Sequence, residues 1–238
     1  MSNNNVYRDM GKSVFSDECY TTRAESDKII DYLIDKNILT NNLIVWLPFD
    51  NEYSNIYKSL NNKWNGKIIM SNLEMGLDFY NYQPEKFDII LSNPPFKGRT
   101  NLFKRLHDLD KPFIILQAIQ MFNNQYAVNY LCDYSDKYQF ILPRSRMNFI
   151  TYDSDKDILR SSKNGAAFYS FWLCYKVNLK KTFNSILDNG RERIREEFDK
   201  QGNIIIENHR NLFNVGEKEK INENISAIRS ANNYCTTK

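Results

Sequence analysis

The stretch FDIILSNPPFKGRT, Phe87 to Thr100, sets an apolar run directly against Asn93, Pro94, Pro95 and Phe96. Two consecutive prolines give no N–H to a strand ladder, so the run must end there. What stands at that end is a side-chain amide, a stiff turn and an aromatic ring. A plain strand-to-helix turn is the structural alternative. The amide and the ring point instead to a pocket for a flat, polar ring.

The elements that hold this turn read as an α/β sheet. Short continuous apolar runs recur at NLIVWLPF (residues 42–49), GKIIMSN (66–72), FDIILS (87–92) and KPFIILQAI (111–119), followed by YQFILP (138–143) and AAFYSFWLCYKV (166–177). Continuous rather than alternating runs indicate strands buried on both faces. Helical spacing at Ile29, Ile30, Leu33 and Ile34, and the stretches at 51–60 and NLFKRLHDL, place helices between the early strands. Strands alternating with helices make a mostly parallel sheet. The last two runs have no clear helix between them and are expected to pair antiparallel at the sheet edge.

In such sheets ligands bind outside the carboxyl ends of the strands. Those ends are Pro48-Phe49-Asp50, Ser71-Asn72 and Ser92 to Phe96, with Asp78 and Phe79 nearby in GLDFYNY. The set is polar and aromatic with two carboxylates. It suits a nucleoside-like cofactor beside a base-like substrate.

The chain divides into a polar N-terminus (1–14), a main domain (15–178) and a C-terminal extension (179–238). RERIREEFDKQG in the extension reads as a solvated helix. Net charge is +3 over 238 residues, so any surface for a polyanion must be local. Cys19, Cys132, Cys174 and Cys235 lie far apart, and only His107 and His209 are present, which argues against zinc. The N-terminus has no signal-peptide apolar core and no run has the length of a membrane span. No metal, no membrane partner and a reducing cytoplasm are the resulting expectations.

Asn-Pro-Pro-Phe after an apolar strand resembles the catalytic motif of amino methyltransferases, above all DNA adenine-N6 methyltransferases of phage and restriction-modification type. ECYTT (18–22) is similar to that family's cofactor motif. LDFYNYQPEKFDIILSNPPF, SRMNFI (145–150) and GAAFYSFWL (165–173) are similar to its later segments. The resemblance spans about residues 15–176. It implies a Rossmann-like methyltransferase fold, S-adenosylmethionine as methyl donor and DNA as partner. Tyr20 and Thr21 would sit at the donor's methionine carboxylate, and Pro48, Phe49 and Asp50 under its methionine part. Ser71 or Asn72 would reach its ribose. Asp78, in the Asp78-Phe79 pair, would accept from its adenine amine. Asn93 and Pro94 would accept from the target amine, and Phe96 would stack on the base. Lys97, Arg99, Lys104 and Arg105 follow the turn, and with Arg144 and Arg146 they would meet phosphates beside a flipped base. A solvated helix face is the plain alternative for that basic group.

Two departures stand out. The loop WLPFDNEYSN has no glycine, where close backbone approach to a cofactor favours one. The second strand ends in Met70-Ser71-Asn72 rather than an acid that would grip ribose hydroxyls. RNA or a protein glutamine as substrate, and a relic of the fold that binds without catalysis, are the competing readings.

Overall fold

The computed structural model describes residues 19–95, 98–153, 158–161, 168–186, 193–198 and 204–210, with backbone alone for 151–153, 158–161, 193–198 and 204–210. In chain order the elements are β1 (Tyr20–Thr21), α1 (Arg23–Asp35), β2 (Ile44–Leu47), α2 (Asn55–Lys63), β3 (Lys67–Met70), β4 (Ile89–Ser92), α3 (Arg99–Leu109) and β5 (Phe113–Ala118). A 3-10 turn (Ile119–Asn123), α4 (Gln125–Asp133), β6 (Tyr138–Pro143), β7 (Phe149–Asp153), β8 (Ile158–Ser161), β9 (Ser170–Tyr175), β10 (Phe183–Ile186), β11 (Arg193–Phe198) and β12 (Ile204–Arg210) follow.

Seven strands form the main sheet in the order β3-β2-β4-β5-β9-β6-β10. β3, β2, β4 and β5 run parallel, and β9 runs antiparallel between β5 and β6. This is the Rossmann-like α/β layout expected, mostly parallel with an antiparallel pair. That pair lies one strand in from the edge, because β10 adds parallel to β6 outside it. The chain leaves β2 for β3 on one side and returns to β4 on the other. The strand order therefore reverses between β2 and β4, which is where open α/β sheets hold ligands.

Successive residues of each buried strand serve opposite layers. Val45, Leu47, Leu91, Ile114 and Trp172 pack with Ile29, Ile30 and Leu33 of α1. Trp46, Ile90, Phe113, Ile115 and Leu173 pack with Leu102, Phe103 and Leu106 of α3. Thr22 starts α1 by accepting from the Glu25 N–H at 3.3 Å, satisfying one orphan donor of the first turn. Gly98 starts α3 at φ 71°, a left-handed conformation open to a residue without Cβ.

A second sheet, β1-β7-β8-β11-β12, pairs antiparallel throughout. Here the structure corrects the helix expected in RERIREEFDKQG: Arg193–Phe198 is strand β11. Ile204, Ile205 and Ile206 make β12 a strong strand former, and pairing along its length overrides the weak helical preference of a charged segment. The described part of the extension supplies β10 to the main sheet and β11 and β12 to the second. Among the described residues no helix is long and apolar enough to cross a membrane.

Candidate functional site at the carboxyl edge of the main sheet

The β4 turn is tied to the N-terminal segment. Asn93 Nδ2 donates to the Cys19 carbonyl at 2.6 Å and to Thr21 Oγ1 at 3.2 Å. A carbonyl can only accept, so the NH2 group must face Cys19, and Oδ1 is turned away. Oδ1 accepts no hydrogen bond among the described residues. Asn55 Nδ2 donates to the Thr21 carbonyl at 3.0 Å and so fastens β1 to α2 as well. Pro94 is buried and Pro95 exposed. Phe96 and Lys97 lie outside the described residues.

Asp50, at the end of β2, is 7% exposed. The Ser54 hydroxyl donates to its Oδ1. Its Oδ2 and the Ser92 Oγ are both buried without a well-formed hydrogen bond. Burial pushes the Asp50 carboxyl up to about 6, with the Ser54 and Ser92 hydroxyls pulling it down. Two further buried polar atoms on this edge have no partner: Gln117 Oε1 near the end of β5, and Ser170 Oγ, which stands opposite Ala118. Buried polar groups are normally bonded, so four such atoms at one sheet edge call for an explanation.

The other expected residues fall in different surroundings. Pro48 is buried and Phe49 packs on Phe79 at 5.0 Å between ring centroids. Phe79 is itself a core residue, 5.4 Å from Trp46. Ser71 is fully buried and accepts from the Trp46 indole at 2.9 Å, so it faces the core rather than the crevice. Asn72 donates to the Asp50 carbonyl at 3.2 Å, tying its loop to the one after β2, and accepts from the Met75 N–H at 2.8 Å within its own loop. Asp78 caps its own turn, accepting from Tyr80 N at 3.2 Å and Asn81 Nδ2 at 2.8 Å. A carboxylate has about four acceptor positions, so capacity for a ligand amine remains. Tyr20 is exposed and Thr21 buried.

The basic group is dispersed. Arg105 donates to the Phe79 and Tyr82 carbonyls at 3.3 and 3.2 Å and thereby latches the Asp78 turn onto α3. Lys104 pairs with Asp108 at 2.7 Å. Arg99 bonds to Tyr126. Arg144 is exposed, and Arg146 lies over the Tyr169 ring at 4.6 Å while donating to its hydroxyl at 3.1 Å.

Leu73 and Met75, 76% and 51% exposed, stand in the loop between β3 and Asp78, an exposed apolar pair that the sequence reading missed. Their signal was available: large apolar residues in a loop directly after a strand, next to a glycine at φ 71°. Among the described residues no group of His, Cys, Asp and Glu is arranged to hold a metal ion.

No family model matches the chain, and a search of curated proteins returns no match. Three solved structures share something of its layout. A methyltransferase subunit of a type I restriction-modification system from Streptococcus thermophilus is 10% identical with a TM-score of 0.44, covering 70% of this chain. The chain spans 46% of that subunit's length. A candidate RNA methyltransferase from Pyrococcus horikoshii is 8% identical with a TM-score of 0.42, covering 74% of this chain and 100% of the other. An S-adenosylmethionine-dependent methyltransferase from Clostridium acetobutylicum is 12% identical with a TM-score of 0.25, covering 63% and 71%. At these scores each is a distant likeness.

Proposed function

We propose that the carboxyl edge binds S-adenosylmethionine and DNA, and that the chain methylates the exocyclic N6 amine of a flipped adenine. The observation that carries this is Asn93: its NH2 side is held by Cys19 and Thr21, which leaves Oδ1 as an acceptor at the switch point between β2 and β4.

The buried edge fits the donor. A desolvated carboxylate with an unpartnered oxygen favours a cation, and the methionine end of S-adenosylmethionine carries an ammonium and a sulfonium. When bound, the donor supplies an electrophilic methyl carbon. Asp50 would face its cationic part, with Tyr20, Thr21, Pro48 and Phe49 around it. Asp78 would accept from its adenine amine, with Leu73 and Met75 against the adenine ring.

An aromatic amine is a poor nucleophile because its lone pair is delocalised into the ring. Accepting both N–H protons favours the pyramidal form, and Asn93 Oδ1 and the Pro94 carbonyl are two acceptors in one rigid turn. As the new N–C bond formed, the methyl–sulfur bond would break with its electron pair left on sulfur, positive charge would grow on the nitrogen where these oxygens would stabilise it, and the amine would then lose a proton to solvent. The base must leave its duplex to reach the turn, and Phe96 is the ring proposed to stack on it.

Calorimetric titration with S-adenosylmethionine tests the cofactor half of this reading. Wild type is expected to give saturable heat. Asp78→Ala is expected to bind the donor about 10- to 150-fold more weakly, as for a lost charge-assisted hydrogen bond. No heat from wild type would leave a binding relic of the fold.

A further inference from the structure

The reaction above leaves the outer strands of the second sheet without a task, yet their register collects arginines. Arg193 pairs with Arg210 and Arg195 with Asn208 between β11 and β12. Glu197 pairs with Arg160 between β11 and β8, and Arg160 with Thr151 between β8 and β7. Residues paired across strands share a face, and so do residues two apart along one strand. Arg160, Arg193, Arg195 and Arg210 therefore belong to one face. The irregularity in β11 falls after Glu197, beyond these positions. Glu197 of β11 and Asp153 of β7 are the two acids of that face, and on β8, β11 and β12 Glu197 stands alone. Glu196 and Glu207, paired with each other, belong to the opposite face.

Like charges set directly opposite destabilise a bare strand pair. Arg193 opposite Arg210 is such a pair, and it sits beside Arg195 on a face poor in acids. That pattern is complementary to a polyanion. Toward the candidate site the face becomes buried: Thr151 and Phe149 share it on β7, buried Phe149 pairs with buried Thr21 of β1, and Thr21 receives the Asn93 hydrogen bond. Four strand spacings of about 4.8 Å carry it roughly 19 Å from β1 to β12. That is about half of one ~34 Å turn of duplex.

We propose that this arginine face docks the phosphate backbone of duplex DNA beside the Asn93 turn. The choice of DNA rests on the methyl-transfer reading; the polyanion chemistry rests on the register alone. The anchoring charge then comes mainly from β8, β11 and β12. On α3, Lys104 is paired with Asp108 and Arg105 is bonded to backbone carbonyls.

Fluorescence anisotropy of a short labelled DNA duplex across a salt series decides it. Wild-type affinity is expected to fall linearly on a log–log plot. Arg193→Ala/Arg210→Ala should lower the slope by about two units and weaken binding on the order of tens of fold near 0.1 M salt, whereas Arg193→Lys/Arg210→Lys keeps the slope. Arg195→Ala, expected to lower the slope by about one, decides the matter if the double variant does not fold. An unchanged slope in the alanine variants overturns the proposal, as does tighter binding of an RNA duplex of equal length. Calorimetry with S-adenosylmethionine on the same proteins separates the two readings. Wild type that shows the DNA slope but no donor heat sinks methyl transfer and keeps the docking face. Donor heat with an unchanged slope does the reverse.

Discussion

The two edges of the main sheet solve the problem of buried polarity in opposite ways. At the amino edge most of the groups are satisfied, the buried Trp64 indole N–H being the exception. His107 Nε2 meets the Tyr138 hydroxyl at 2.6 Å, and the ring stacks on Tyr130 and Tyr134 at 4.3 and 4.7 Å. Asp88 accepts from the Ile44 N–H at 2.7 Å, and Lys176 pairs with Asp110 at 2.5 Å. At the carboxyl edge Asp50, Ser92, Gln117 and Ser170 carry buried atoms with no well-formed hydrogen bond, and Leu73, Met75, Ile119 and Tyr169 stand exposed. Satisfied polar networks make a rigid floor, whereas orphaned ones mark where partners arrive from outside. The difference separates the half of the sheet that holds the fold from the half proposed to work.

That contrast can be attacked first at Asn93. Asn93→Ala removes an acceptor proposed to act in the transition state, and methyl transfer is expected to fall on the order of a hundredfold or more with the fold intact. A radiolabelled methyl-transfer assay reads the loss, and wild-type turnover in the variant would break the assignment.

Asp50 comes next. Its folded pKa of about 6 lies above the ordinary 3.8, so the fold favours the protonated form. The stability it contributes is present below about pH 4 and is lost as pH rises through about 6. Asp50→Asn should match wild type in acid and exceed it above that window by on the order of 3 kcal/mol. Urea denaturation at several pH values measures the difference. A gap that does not change with pH would mean the carboxylate has a partner after all.

The amino edge is expected to behave with the opposite sign. Burial lowers His107 from 6.5 to about 4, so the fold favours the neutral ring. Its contribution is present above about pH 6.5 and lost as pH falls towards 4. His107→Phe gives up one hydrogen bond, about 1 kcal/mol at neutral pH, and is expected to be less sensitive to acid while leaving donor affinity unchanged. Weaker donor binding in that variant would erase the distinction between the edges.

Much of this was legible in the chain because it was local. IIL ending in Asn93-Pro94-Pro95 fixes a strand and its stop, and the early apolar runs fix a buried parallel sheet. The second sheet as a whole was not legible, since β1, β7, β8, β11 and β12 come together only through pairing with residues distant in sequence. RERIREEFDK reads as a helix until Ile204–Arg210 is set beside it. Side-chain employment was hidden for the same reason. Ser71 is taken by the Trp46 indole, and Arg105 by the Phe79 and Tyr82 carbonyls, both partners remote in sequence.

Methyl transfer to an adenine amine in DNA is the activity proposed for the carboxyl edge. It is tested most directly by mass spectrometry of nucleosides from duplex DNA incubated with the protein and S-adenosylmethionine. The expected result is N6-methyladenine with wild type and a near-complete loss of it with Asn93→Ala. Absence of any methylated base with wild type that binds the donor, or equal yield from the two proteins, would contradict it.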